Sequence, residues 1–91
     1  MTSNNLKPQI QKLVDIGENA LTIMHGELKN LMYDAEQEYL EAKRIEEEDN
    51  YSNAMDSMER KYWEGQLDAL THLYRLTYDL SFAIMDKERD K

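Results

Sequence analysis

From Ile10 to Ile45, steps of four and three residues land on Ile10, Val14, Gly17, Leu21, Met24, Leu28, Leu31, Ala35, Glu38, Ala42 and Ile45. A stripe at that spacing is the signature of a helix packed along a partner helix, and only Gly17 and Glu38 interrupt it. Leu13, Ala20, Met32 and Tyr39 flank the stripe and widen it, as in helices of bundles. The pattern predicts one helix over about 5–48, capped by Asn4 or Asn5, with Pro8 in the first turn where its missing N–H does no harm. Gly17 and Gly26 each weaken it by about 1 kcal/mol relative to alanine, and a bend near His25-Gly26 is the weak point. A glycine on the stripe also lets a neighbouring helix approach closely, and that packing role is the one expected of Gly17.

The run Glu46-Glu47-Glu48-Asp49-Asn50-Tyr51-Ser52-Asn53 has no apolar period and offers Asn50, Ser52 and Asn53 as caps, so the turn is placed at about 49–53. It lacks glycine and proline, which keeps one uninterrupted helix open as the alternative. A second helix follows over about 54–88. Tyr62, Gln66, Ala69, Leu73, Leu76, Leu80 and Ala83 make one stripe along it, and Trp63, Leu67, Leu70, Tyr74 and Thr77 make another beside it. Tyr78, Phe82 and Met85 extend the apolar surface further. One partner helix covers one stripe, so this breadth predicts more neighbours than a lone hairpin supplies. The fold expected is all-α: a single domain over residues 1–91, a long antiparallel coiled-coil-like hairpin, dimerising into a four-helix bundle with Leu21, Leu28, Leu31, Leu73, Leu76 and Leu80 at its centre.

A chain of 91 residues buries little surface by itself. It has no cysteine, so disulfides and thiolate metal sites are excluded, and self-association is the support that remains. No apolar run approaches the ~18 residues of a membrane span, and Met1-Thr2-Ser3-Asn4-Asn5 lacks the layout of a signal peptide, so a cytoplasmic protein is expected. The net charge of -8 argues against direct binding of nucleic acid or of anionic membranes.

The negative charge gathers at the hairpin tip. Asp34, Glu38, Glu41, Glu46, Glu47, Glu48 and Asp49, with Glu36 among them, form an acidic segment that Asp56, Glu59, Glu64 and Asp68 prolong. One reading is a solvated face that keeps the protein soluble. The functional reading is a dock for a basic protein, with carboxylates displayed much as DNA displays phosphates and affinity falling with salt. Met55, Met58, Tyr62, Trp63, Leu67, Leu70 and Tyr74 are of the residue types that dominate interfaces, and they are the expected contacts with a second subunit or a foreign partner.

Signals for catalysis are thin. Three residues before His25 stands Thr22 and three before His72 stands Ala69, so neither histidine has the Glu-x-x-His spacing of carboxylate-bridged metal sites, while Asp68 and His72 share a face at a spacing of four. Glu38-x-x-Glu41 with Glu64 and Asp68 is similar to the metal-binding acids of all-α nucleoside triphosphate pyrophosphohydrolases, except that the second pair is one residue too wide. No phosphate loop and no nucleophile-base motif is present. The expectation is a protein that is no enzyme and needs no cofactor.

The segment from Lys61-Tyr62-Trp63-Glu64-Gly65-Gln66-Leu67-Asp68-Ala69-Leu70 through Thr71-His72-Leu73-Tyr74-Arg75-Leu76-Thr77-Tyr78-Asp79-Leu80 resembles the C-terminal helix of small helical proteins encoded by bacteriophages. It covers under a quarter of the chain, and the group has no shared catalytic motif. The resemblance implies a phage accessory protein in a host cytoplasm, a setting in which short acidic helical proteins block host machinery, here a nucleic-acid-binding protein. Three readings follow in order: an inhibitor or accessory factor acting through its acidic face, a self-assembling structural protein, and a metal-dependent enzyme.

Overall fold

The computed structural model describes residues 6–89, which form three helices: α1, Pro8–Asp15; α2, Ala20–Glu48; and α3, Ala54–Arg89. Among the described residues there is no strand. The caps expected from Asn4 and Asn5 lie outside them. α2 and α3 pack as an antiparallel helical hairpin, and α1 folds back along the first half of α2, with Lys7 Nζ 2.6 Å from a Glu27 carboxylate oxygen. No helix is long and apolar enough to cross a membrane.

The single helix expected over about 5–48 is broken, and the break falls at Gly17 instead of Gly26. α1 stops because Gly17 takes φ of 90°, a left-handed conformation that glycine adopts without the clash of a Cβ. The Glu18 N–H then reaches back to the Leu13 carbonyl at 3.0 Å, which satisfies a helix-end acceptor. Two residues on, the Asn19 side chain accepts from the Thr22 N–H at 2.8 Å and starts α2. The close helix approach expected of Gly17 is absent, since nothing lies within 4 Å of the place its Cβ would occupy. Gly26 lies inside an unbroken α2 with the same open space around it.

The turn closes without glycine. Asn50 and Tyr51 both take left-handed backbone, φ 53° and 59°, and the Tyr51 N–H donates to the Glu46 carbonyl at 3.0 Å. Asparagine adopts that region readily; a bulky tyrosine does so at a cost, which the surrounding bonds must offset. Asn53 is the residue that caps α3, accepting from the Met55 N–H at 2.9 Å.

The seam between α2 and α3 is formed by Leu21, His25, Leu28, Met32, Ala35, Tyr39, Ala42 and Glu46 from α2, and by Arg60, Trp63, Leu67, Leu70, Tyr74, Thr77 and Ser81 from α3. Half of the expected α2 stripe is there. Met24, Leu31 and Ile45, with Glu38, give way to their C-terminal neighbours His25, Met32, Glu46 and Tyr39. Two polar pairs account for the rotation. His25 Nδ1 lies 2.8 Å from Thr77 Oγ1 with its ring stacked on Tyr74, centroids 4.3 Å apart, and Arg60 Nε donates to Glu46 at 2.7 Å. The Thr77 hydroxyl donates to the Tyr74 carbonyl, so the His25 nitrogen is the donor to it.

At the hairpin tip, Glu46 is 3% exposed. The Ser57 hydroxyl first, and then Arg60, hold its carboxyl below the ordinary glutamate range, against the upward pull of burial. Beside it, Asp56 is pushed the other way by a shared hydrogen bond with Asp49, by burial and by the charges of Asp49 and Glu46. Asp56 Oδ2 is buried with no hydrogen-bond partner, which adds to the cost of carrying a charge there.

Two predictions follow from this geometry. Gly26→Ala should stabilise the protein and Gly17→Ala destabilise it, each by about 1 kcal/mol in thermal or urea unfolding, since one sits in helix and the other at positive φ. The two acids should have opposite pH signatures. A raised folded value means that stability is present at low pH and lost as pH rises through that value, so wild type should gain stability relative to Asp56→Asn on acidification from pH 7. A lowered value means the reverse, and wild type should lose stability relative to Glu46→Gln as pH falls through the glutamate range. Differences independent of pH would contradict the tip network.

Candidate interaction surface

α3 winds one stripe of its surface into the seam and leaves the other outside. Tyr62, Gln66, Ala69, Leu73, Leu76, Leu80 and Ala83 are each one residue before a seam position or its continuation at Ile84, which turns them about 100° around the helix axis, and all seven are exposed. Leu73 is 49% and Leu76 54% accessible. None of the seven carries a charge, in a chain of which 33% of residues are charged. An uncharged stripe at four-three spacing over six helical turns has the pattern of a helix–helix contact surface.

The same flank of α2 adds to it. Leu31, Asp34, Ala35, Gln37 and Glu38 line a shallow groove with Trp63, Gln66 and Leu70 of α3. Its floor is apolar and its α2 rim carries the carboxylates of Asp34 and Glu38. On the opposite flank, Tyr78 and Phe82 lie 4.9 Å apart, both half exposed.

The expected interface residues are therefore split. Met55, Met58 and Tyr62 are exposed, whereas Trp63, Leu67, Leu70 and Tyr74 are half-buried against α2 within the same chain, with Trp63 and Leu70 also lining the groove. Leu73, Leu76 and Leu80, expected at the centre of a bundle, lie on the surface of the hairpin, while Leu28 is buried in it.

The acidic segment is split as well. Glu46 is withdrawn into the seam with Arg60. Glu41 and Glu48 are both bound by the Arg44 guanidinium, which holds the Glu41 carboxyl below its usual range through their hydrogen bond. Asp49 is turned to Asp56 and Asp34 lies within the field of the Lys7 ammonium, leaving Glu36, Glu38 and Glu47 as the exposed acids of this segment with no cation beside them among the described residues. The spacing of Glu41, Arg44 and Glu48, three and then four residues apart, is the signal that could have shown this clamp.

The acids similar to a pyrophosphohydrolase set are not gathered into one site. Glu41 is engaged by Arg44 and Glu64 by Arg60 at 3.1 Å, and among the described residues no three histidine, aspartate or glutamate side chains are grouped to hold a metal ion. His25 is taken up by the seam and His72 is exposed on α3. Comparison with models of protein families, with curated proteins and with solved structures returns no match to this chain, so the reading of its surface rests on its own residues.

Proposed function

We propose that this chain is a non-enzymatic protein-binding protein that works as a homodimer, with the outer stripe of α3 as its contact. The observation that carries the reading is the run of seven exposed, uncharged positions from Tyr62 to Ala83. The shape of the molecule supports it. Its extents are 59 × 37 × 16 Å, so the helices form a flat array that is much thinner than it is broad. A single layer of helices has two open faces, and stable domains pack two layers.

A second reading concerns a foreign partner. Asp34 and Glu38 on the rim of an apolar groove fit a basic, partly apolar segment of another protein. This is the form in which we retain the inhibitor reading: a phage accessory factor in a host cytoplasm, engaging a nucleic-acid-binding protein through acids that imitate DNA. The acids proposed for that contact are Asp34 and Glu38, which stand on the rim of the groove, with the exposed Glu47.

Sedimentation equilibrium tests the first reading. Wild type should have twice the chain mass at tens of micromolar, and Leu76→Asp should sediment as a monomer that keeps its helical circular dichroism; a wild-type monomer would contradict the proposal. For the second reading, a protein captured from bacterial lysate at low salt should be lost on Asp34→Asn/Glu38→Gln. Undiminished capture by that variant would remove the acidic rim from the account.

A further inference from the structure

The outer stripe of α3 has a symmetry of its own. Its spacings run four, three, four, three, four, three, and Leu73 stands in the middle. When the stripe is laid antiparallel on a copy of itself, Leu73 meets Leu73, Ala69 meets Leu76, Gln66 meets Leu80 and Tyr62 meets Ala83. Apart from the central leucines and the Gln66 layer, each layer sets a large side chain against an alanine. A parallel pairing sets Ala69 on Ala69 and Ala83 on Ala83, leaving gaps, and Tyr62 on Tyr62, where it crowds. Gaps and crowding both cost stability, so the sizes select the antiparallel arrangement.

Charge and area agree with it. Lys61, Gly65, Asp68, His72, Arg75 and Asp79 flank the stripe on the side away from α2, and in the antiparallel register Asp79 falls beside Gly65 and Asp68 near Arg75. The accessible surface is 7441 Å², against about 5,500 Å² for a compact monomer of this mass. The excess exceeds the roughly 800 Å² that each partner buries in a stable dimer. Lys7, Gln9 and Ile10 of the N-terminal segment line a pocket with Glu27, Asn30, Leu31 and Asp34 of α2, at the α2 edge of the groove and off the α3 stripe itself.

We infer that α3 pairs with α3 of a second copy of this chain, antiparallel and in a register that puts the two-fold axis at Leu73, so that the dimer is a four-helix layer pair with both α3 helices inside. The inference rests on the reading that the stripe is covered by a second copy. It adds which residue meets which.

A chain without cysteine makes the register directly measurable. Oxidative cross-linking is run on Leu73→Cys, on Ala83→Cys, and on mixtures of Tyr62→Cys with Ala83→Cys and of Ala69→Cys with Leu76→Cys, each checked for dimer mass and helicity. Leu73→Cys and both mixtures should cross-link about a hundredfold faster than Ala83→Cys alone, the ratio of an effective concentration of about 1 mM to protein at about 10 µM. Two Ala83 positions lie about 30 Å apart along the axis in this register, far beyond the reach of a disulfide. Equal rates for Leu73→Cys and Ala83→Cys would overturn the antiparallel pairing. A stable dimer in which neither Leu73→Cys nor the mixtures cross-link would overturn the register while leaving the dimer reading intact, and monomers throughout would overturn both.

Discussion

A helix has one surface, and a single partner covers about a third of it; α3 carries apolar residues over more than that. This constraint organises the molecule. α2 covers the stripe of Trp63, Leu67, Leu70, Tyr74 and Thr77, and the stripe from Tyr62 to Ala83 is left to solvent within one chain. Apolar area alone would not decide between them, since both stripes have the spacing of a seam. The decision falls to the polar pairs, because His25 with Thr77 and Glu46 with Arg60 can be satisfied in only one rotation of the two helices. A half-satisfied buried pair costs more than no pair, so polar residues at the two ends of the seam act as pins.

Between those pins the helices meet on small residues. Ala35 and Ala42, together with Leu28, are the apolar residues that the hairpin buries, and no described side chain is wholly enclosed. A core of this size is weak. The ion pairs on the surface of α2 add little to it, since exposed pairs are each worth ~0–1 kcal/mol. A small core and a large exposed apolar area go together in this chain, and both are what the proposed pairing with a second copy would relieve.

Much of this was legible in the residues. The helical class, the turn after the glutamate run and the two stripes of α3 follow from period and capping, which are local. Choosing between neighbouring stripes was not legible, because Met24 and His25, or Leu31 and Met32, satisfy the same four-three pattern one residue apart. Tertiary hydrogen bonds made the choice, and those pair residues on different helices, 52 positions apart for His25 and Thr77 and 14 for Glu46 and Arg60. The break at Gly17 was masked because the apolar stripe continues through it from Val14 to Leu21. Its signature was present: a glycine followed two residues later by an asparagine cap. The acidic face was overdrawn for another reason, namely that charge counted along a chain ignores which carboxylates find an arginine.

The arrangement assigns the two faces of the hairpin different work. One is an exposed stripe without charge, proposed as the contact with a second copy, and the other carries carboxylates, with Asp34 and Glu38 beside a groove. The most direct measurement of the central claim is an isotope-filtered nuclear Overhauser experiment on a mixed dimer of labelled and unlabelled chains. The account predicts intermolecular cross-peaks between the Tyr62 ring and the Ala83 methyl, and between the Ala69 and Leu76 methyls. Intermolecular peaks from other surfaces with none from this stripe would contradict it.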